Sequence, residues 1–220
     1  MSQHRTSTWA RLIAFGFRLL YNELAWLYDP VSWIVSYGQW RRWQRTALAY
    51  MPASGSVLEV GFGPGHLLLD LATAGYCPFG LDLSKQMLHL ARRRLRRRGA
   101  TTNLARGRAN ALPFAASAFD AVVLTFPTPF VYDPAWIRHL ERVLRPGARL
   151  IVVETSSFAR RNLTARFMEW LYRITGQRGP ISDLPGRLSQ VGLHARRESV
   201  VVGSSIVTVV IADKPRPATA

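Results

Sequence analysis

The amino-acid sequence predicts an α/β domain with a doubly wound parallel sheet, and three observations carry that prediction. Short apolar runs near 56–60, 77–81, 102–106, 120–124 and 148–154 alternate with helical patterns near 64–74, 84–98 and 133–144. Strands alternating with helices imply parallel strands joined by right-handed crossovers. The first run, Val57-Leu58-Glu59-Val60, leads into glycines at 61, 63 and 65, a turn whose backbone can approach a ligand that any Cβ would obstruct. The second run, Pro78–Leu81, ends in Asp82, and a carboxylate at a strand tip can accept hydrogen bonds from both hydroxyls of a ribose. Together these features place a nucleoside-containing ligand over the carboxyl ends of the strands.

The remaining elements follow in order. Residues 1–8 are polar and expected to be loose. Trp9, Ile13, Gly16, Leu20, Leu24 and Leu27 form a helical stripe, with Arg11 and Arg18 on another face. Asp29-Pro30 predicts an N-cap and the first position of a second helix. A third helix is expected from about Gln39 to Tyr50, stopping before Pro52. In the fourth helical segment, six arginines lie between Ala91 and Gly99, while Leu88, Ala91 and Leu95 keep a narrow apolar seam. That run reads as a solvated helix end or as an anion-binding patch. Beyond Glu154 the pattern predicts an amphipathic helix over 158–175, a breaker at Gly176–Pro180 and a short helix near 184–190 ended by Gly192. Two closing runs, His194–Val202 and Ser205–Ala212, flank Gly203-Ser204 and predict a β-hairpin.

Composition narrows the classes. The chain has 220 residues, of which 48% are hydrophobic, enough for one α/β domain with an elaboration. The formal charge of +16 is nearly all arginine, with Lys85 and Lys214 the only lysines. Such a balance favours lipid head groups, nucleic acid or acidic substrates, or it reflects the base composition of the genome. Cys77 is the only cysteine, which excludes an internal disulfide and a cysteine-based metal site; it is expected as small core filler in the second strand. The five histidines show no metal-ligand spacing, so no metal is expected. No run of about 20 apolar residues occurs, and Arg11 and Arg18 interrupt the one stretch resembling a signal sequence. A cytoplasmic protein is expected.

The glycine spacing discriminates between cofactors. A dinucleotide fingerprint would place its third glycine at position 66, which is His66, and Pro64 has no N–H to offer a pyrophosphate. A nicotinamide oxidoreductase is therefore disfavoured. Glu59 suits an ammonium group instead. S-adenosylmethionine carries an ammonium, a ribose and an adenine, and no phosphate.

Glu59-x-Gly61-x-Gly63-x-Gly65 resembles motif I of the class I S-adenosylmethionine-dependent methyltransferases. Gly80-Leu81-Asp82-Leu83-Ser84 is similar to their ribose-binding acid and the following helix start. Residues 107–114 with 119–123, and residues 140–150, resemble their adenine-side and helix–turn–strand segments in matching order. The resemblance covers roughly residues 55–155. It implies a Rossmann-like sheet of seven strands with the last antiparallel, and an N-terminal helical lid. The expected division is residues 1–50 as lid, 51–214 as cofactor-binding domain and 215–220 as a disordered tail.

The resemblance also implies site residues. Glu59, Gly61, Gly63, Gly65, Asp82, Leu83, Ala109, Asn110 and Thr125 are expected at the cofactor. Position 108 commonly carries an acid for the adenine amino group; here it is Arg108, which has donors only, so Ala109 backbone or the Asn110 side chain would supply the acceptor. The segment after the fourth strand, Thr125–Phe130, lacks the Asn/Asp-Pro-Pro-aromatic pattern of base-amine methyltransferases. Its apolar character, with five tryptophans in the first 50 residues, points to a lipophilic acceptor; Tyr28, Tyr37, Phe126, Phe130 and Tyr132 are the expected contacts. Asp133 and His139 are the conceivable bases. The implied activity is methyl transfer to a small lipophilic acceptor, as in the group containing quinone-biosynthesis and phospholipid methyltransferases, with peripheral contact to an anionic inner-membrane surface. An RNA-directed methyltransferase and a non-catalytic S-adenosylmethionine-binding or partner-binding domain are the alternatives.

Overall fold

The computed structural model describes residues 24–158 and 183–217, together with Gly16. Seven strands form one sheet in the order β3-β2-β1-β4-β5-β7-β6. They are β1 (Ser56–Val60), β2 (Cys77–Asp82), β3 (Asn103–Arg106), β4 (Phe119–Thr125), β5 (Leu144–Phe158), β6 (His194–Val202) and β7 (Ser205–Asp213). β7 alone runs antiparallel to its neighbours β5 and β6, and the other pairings are parallel. The chain starts at the centre, steps outward to β3, then crosses to β4. That reversal makes the carboxyl ends of β1 and β4 the topological switch point, where open α/β sheets bind ligands.

Six helices are described: α1 (Tyr28–Ser36), α2 (Trp40–Arg45), α3 (His66–Thr73), α4 (Lys85–Arg97), α5 (Pro134–Val143) and α6 (Leu184–Ser189). Alternate strand residues go to opposite faces. Val57, Ala121, Val123, Ile151 and Val153 pack with Leu67 and Leu71 of α3 and Trp43 of α2. Leu58, Val60, Val122, Leu124 and Val152 pack with Trp136, Ile137 and Leu140 of α5 and Leu184 and Leu188 of α6. Both faces are covered, which is why the strands read as continuous apolar runs.

Four expectations are corrected. β5 extends from Leu144 to Phe158 rather than spanning 148–154, because Thr155–Phe158 continue to pair with Ser205–Thr208 of β7 past a register shift at Glu154. Polar Thr155, Ser156 and Ser157 hide that extension in the sequence. Asp29 and Pro30 do not begin α1. A 3-10 turn at Ala25–Leu27 runs directly into the helix at Tyr28, so both lie inside its first turn, where a proline costs no hydrogen bond. The expected helix over 39–50 is α2 followed by a 3-10 turn at Thr46–Tyr50. Cys77 is exposed at the first position of β2 rather than buried. The expected helices over 9–23 and 159–175 lie outside the described residues.

Candidate cofactor and acceptor site

The glycine turn is built by backbone conformation. Gly61, Gly63 and Gly65 have φ of +74°, +52° and +77°, values that residues with a Cβ adopt at a cost. The Gly61 N–H donates to Leu81 O at 2.8 Å, fastening the turn to β2. A Cβ on Gly61 or Gly63 would meet nothing within 4 Å, whereas one on Gly65 would lie 2.7 Å from the Ala91 Cβ. The first two glycines therefore border open space, and the third lets α3 pack against α4.

Two carboxylates face this turn from adjacent strands. Asp82 is buried and accepts from Gly63 N–H at 2.9 Å and from Ser84 N–H at 2.8 Å. Burial raises its pKa, and these backbone donors oppose the rise. The Leu83 backbone N–H also acts on this carboxylate, and three donors leave about one of its four lone-pair sites open. Glu59 is 1% exposed, and no side chain hydrogen-bonds either of its oxygens. Burial, with the nearby Asp82 and Asp70 carboxylates, pushes its pKa well above the usual range. Arg41 of α2 and the Leu68 backbone N–H act on Glu59 in the opposite sense. Arg41 Nη2 donates to both oxygens of Asp70, at 3.0 and 2.9 Å, while its Nη1 is buried and unpartnered. A carboxylate with no side-chain partner and an orphaned guanidinium N–H beside one turn fit the two ends of an amino-acid zwitterion.

A further set of contacts escapes sequence reasoning. Asp29 of α1 takes His66 Nε2 at 2.9 Å on one oxygen and Arg94 Nη2 at 2.6 Å on the other. Arg94 also donates to the Pro64 carbonyl of the glycine turn. Burial lowers the His66 pKa, aided by Arg94 and Arg41, so at neutral pH the ring is neutral and donates to the Asp29 carboxylate. Burial raises the Asp29 pKa, but His66 and Arg94 outweigh it and hold the carboxyl below its ordinary value. One arginine of that run is thus a latch between α1, α4 and the turn. The only sequence signal was Arg94 lying one turn beyond Ala91 on the inner side of α4.

On the adenine side, Leu83 is 59% exposed directly after Asp82. Arg106 Nε donates to Leu83 O at 3.0 Å, and Gly107 N–H donates to Asp82 O at 3.0 Å. Ala109 is half-buried and opens a 3-10 turn, with Asn110 and Arg108 exposed beside it. On the other side, Thr125 ends β4 and accepts from Gln44 Nε2 at 3.2 Å. Phe126 follows with φ of +50°, a rare conformation for a bulky residue. Its N–H donates to Val153 O at 2.7 Å, and its ring lies 4.5 Å from Trp40 and 6.1 Å from Trp43.

The other expected contacts are dispersed. Tyr28 is buried edge-on to Trp40 beside Ala25 and Met87, and Tyr37 is 50% exposed at the end of α1. Phe130 packs edge-on against Trp136. Tyr132 Oη donates to Glu154 Oε1 at 3.4 Å, and Glu154 is held by Arg197 at 3.1 and 3.2 Å. Asp133 accepts from Ala135 N–H at 2.8 Å, capping α5. His139 lies within α5 with a buried, unpartnered Nδ1. Among the described residues no cluster of His, Cys, Asp or Glu could hold a metal ion, and no helix is long and apolar enough to cross a membrane. A surface groove of about 480 Å³ lies between Ser189, His194 and Asp213, at the opposite end of the sheet from the glycine turn.

Comparisons with known proteins agree with this geometry. Residues 57–147 match a family model described as a methyltransferase domain. The chain is 33% identical over 161 residues to a demethylmenaquinone methyltransferase of Tropheryma whipplei, covering 71% of this chain and 64% of that protein. It is 36% identical over 140 residues to the Thermus thermophilus protein of the same name, covering 61% and 64%. The chain thus spans a little under two thirds of these relatives' length. The structure superposes on a Haemonchus contortus phosphoethanolamine N-methyltransferase in complex with S-adenosylhomocysteine, with a TM-score of 0.62, 15% identity, and coverage of 81% of this chain and 54% of that one; this shows the fold. With the glycine turn, the acid ending β2 and the strand order all in place, the chain carries a methyltransferase domain over residues 57–147 and is similar to the class I S-adenosylmethionine-dependent methyltransferases.

Proposed function

We propose that this protein transfers a methyl group from S-adenosylmethionine to a small lipophilic, quinone-like acceptor. The observation that carries the cofactor part is the paired arrangement at the turn: open space over Gly61 and Gly63, Asp82 with acceptor capacity left beyond its backbone donors, and Glu59 buried without a side-chain partner. Asp82 is assigned to the ribose hydroxyls, Glu59 to the ammonium and the free Nη1 of Arg41 to the carboxylate. Leu83 offers an apolar face to the adenine, and Ala109 and Asn110 flank its edge. When bound, the cofactor supplies a methyl group on a positively charged sulfur, already activated for displacement. The protein's part is to hold the acceptor in line and keep water away, a proximity effect. Thr125, Phe126, Trp40 and Trp43 form an apolar wall suited to that task. The names of the relatives support a quinone-like acceptor, and such a molecule would reach the site from a membrane.

The exposed arginines of α4 do not favour an RNA acceptor. α4 starts beside Asp82 and runs away from it, so Arg96 and Arg97 sit roughly 15–18 Å further along its axis. Calorimetry tests the cofactor assignment. Wild type should bind S-adenosylmethionine, and Asp82→Asn should weaken binding by about tenfold or more through loss of a charged acceptor. Absence of binding by wild type would overturn the reading. Turnover of a demethylated naphthoquinone, against none with RNA, tests the acceptor.

A further inference from the structure

Among the described residues, eight large hydrophobic side chains are exposed: Leu24, Trp26, Trp33, Ile34, Tyr37, Leu83, Val201 and Ile206. All eight lie at one end of the molecule. Leu83, assigned to the adenine, follows the carboxyl end of β2 and marks the mouth rather than the rim around it. Val201 and Ile206 flank the tip of the β6–β7 hairpin, where Val202 pairs with Ser205 and Ser205 pairs with Phe158, the last residue of β5. β5 continues from Val153, level with Thr125, to Phe158, so the tip stands roughly 16 Å beyond the end of β4. The other five belong to residues 24–37, which bridge the same end. Asp29 is fastened to His66 at the start of α3, Tyr28 packs on Met87 near the start of α4, and Gln39 Nε2 donates to Ser204 Oγ of the hairpin tip at 2.7 Å. An apolar rim therefore surrounds the mouth of the cofactor and acceptor site.

Charge at this end is one-sided. Arg42, Lys85, Arg106 and Arg108 are exposed around the rim, and Arg42 Nη1 would lie 3.6 Å from a Cβ on Gly203 at the tip. The acids there are engaged or buried: Asp29 between His66 and Arg94, Glu59 and Asp82 at the turn, Asp133 capping α5, Asp183 exposed but capping α6, and Glu154 against Arg197. Exposed tryptophans beside basic side chains combine apolar burial with attraction to anionic lipid head groups.

We infer that this rim is a docking surface for an anionic lipid bilayer, seating the protein with its acceptor mouth against the membrane. The inference rests on the acceptor being lipophilic, and it gives that acceptor a route of entry that does not cross water. The test is flotation of the full chain with phosphatidylcholine vesicles, with and without phosphatidylglycerol. Wild type should float with the anionic vesicles, less so as salt is raised. A Trp33→Ser, Ile34→Ser, Val201→Ser variant should lose apparent affinity by about tenfold or more, while its circular dichroism and S-adenosylmethionine calorimetry match wild type. Equal flotation of variant and wild type would overturn the inference, as would failure of wild type to float. A wild-type dimer that these substitutions dissociate, with no flotation, would assign the face to a second copy of the chain. Flotation without cofactor binding would support the surface and remove the methyl-transfer reading, so the two fail separately.

Discussion

Glu59 is the residue on which cofactor binding and stability most directly conflict. A buried carboxyl with no side-chain partner disfavours ionisation, and burial raises its pKa in the folded protein. A group with a raised folded pKa contributes stability that is full below its unfolded value and lost as pH rises toward the folded one. Glu59→Gln should therefore raise the Tm of the ligand-free protein at neutral pH and reduce its decline with pH, while weakening S-adenosylmethionine. Denaturation across pH 4–8, with calorimetry on the same samples, checks both halves. The glycines separate similarly. Gly65→Ala forces a methyl to 2.7 Å from the Ala91 Cβ in addition to its positive φ, whereas Gly63→Ala meets no protein atom. Both substitutions carry a backbone cost of about 1 kcal/mol. Gly65→Ala should lower the Tm more than Gly63→Ala, and Gly63→Ala should lose cofactor affinity out of proportion to its stability.

At the scale of elements, α1 is held to the core by few side chains. Much of its outer surface is apolar and exposed, and the Asp29–His66–Arg94 latch is its polar tie to α3 and α4. Asp29 has a lowered pKa, as has His66 relative to its ordinary 6.5. Both groups bind protons more readily once released, so the latch contributes fully only above their ordinary values and weakens as pH falls through them. Hydrogen exchange over 28–36 should accelerate below about pH 6, with β1, β2 and β4 unchanged. Arg94→Ala should accelerate it at every pH. His66→Gln should abolish the step near pH 6. Unaltered exchange in the Arg94 variant would show that α1 is held by Tyr28 and its apolar neighbours alone.

For the whole molecule, the structure makes α2 part of the central core. Trp43 is 1% exposed and packs in one cluster with Val57, Leu67, Val123 and Val209. Trp43→Ala should destabilise the entire sheet by about 3–5 kcal/mol, read as a single shifted urea transition. A chain starting at residue 51 should fail to fold cooperatively, because Trp43 and Ala47 leave an open face over β1 and β4. Separate transitions for the N-terminal helices and the sheet would show that they are independent units.

Sequence alone determined the order of strands and helices, the glycine turn and the acid at the tip of β2. These depend on local rules: side-chain alternation, the φ that glycine permits, and spacing within a βαβ unit. The hairpin boundaries and the apolar seam of α4 were legible for the same reason. Sequence did not determine that Glu59 has no side-chain partner, that Asp29 serves as a latch rather than a cap, or that Phe126 packs on Trp40. Asp29 meets His66 and Arg94 across separations of 37 and 65 residues, and Gln39 meets Ser204 across 165. No periodicity encodes such pairs. They exist because the doubly wound sheet brings the starts of α3 and α4, the N-terminal helices and the hairpin tip to one end, and only the packed chain decides which charges there find partners.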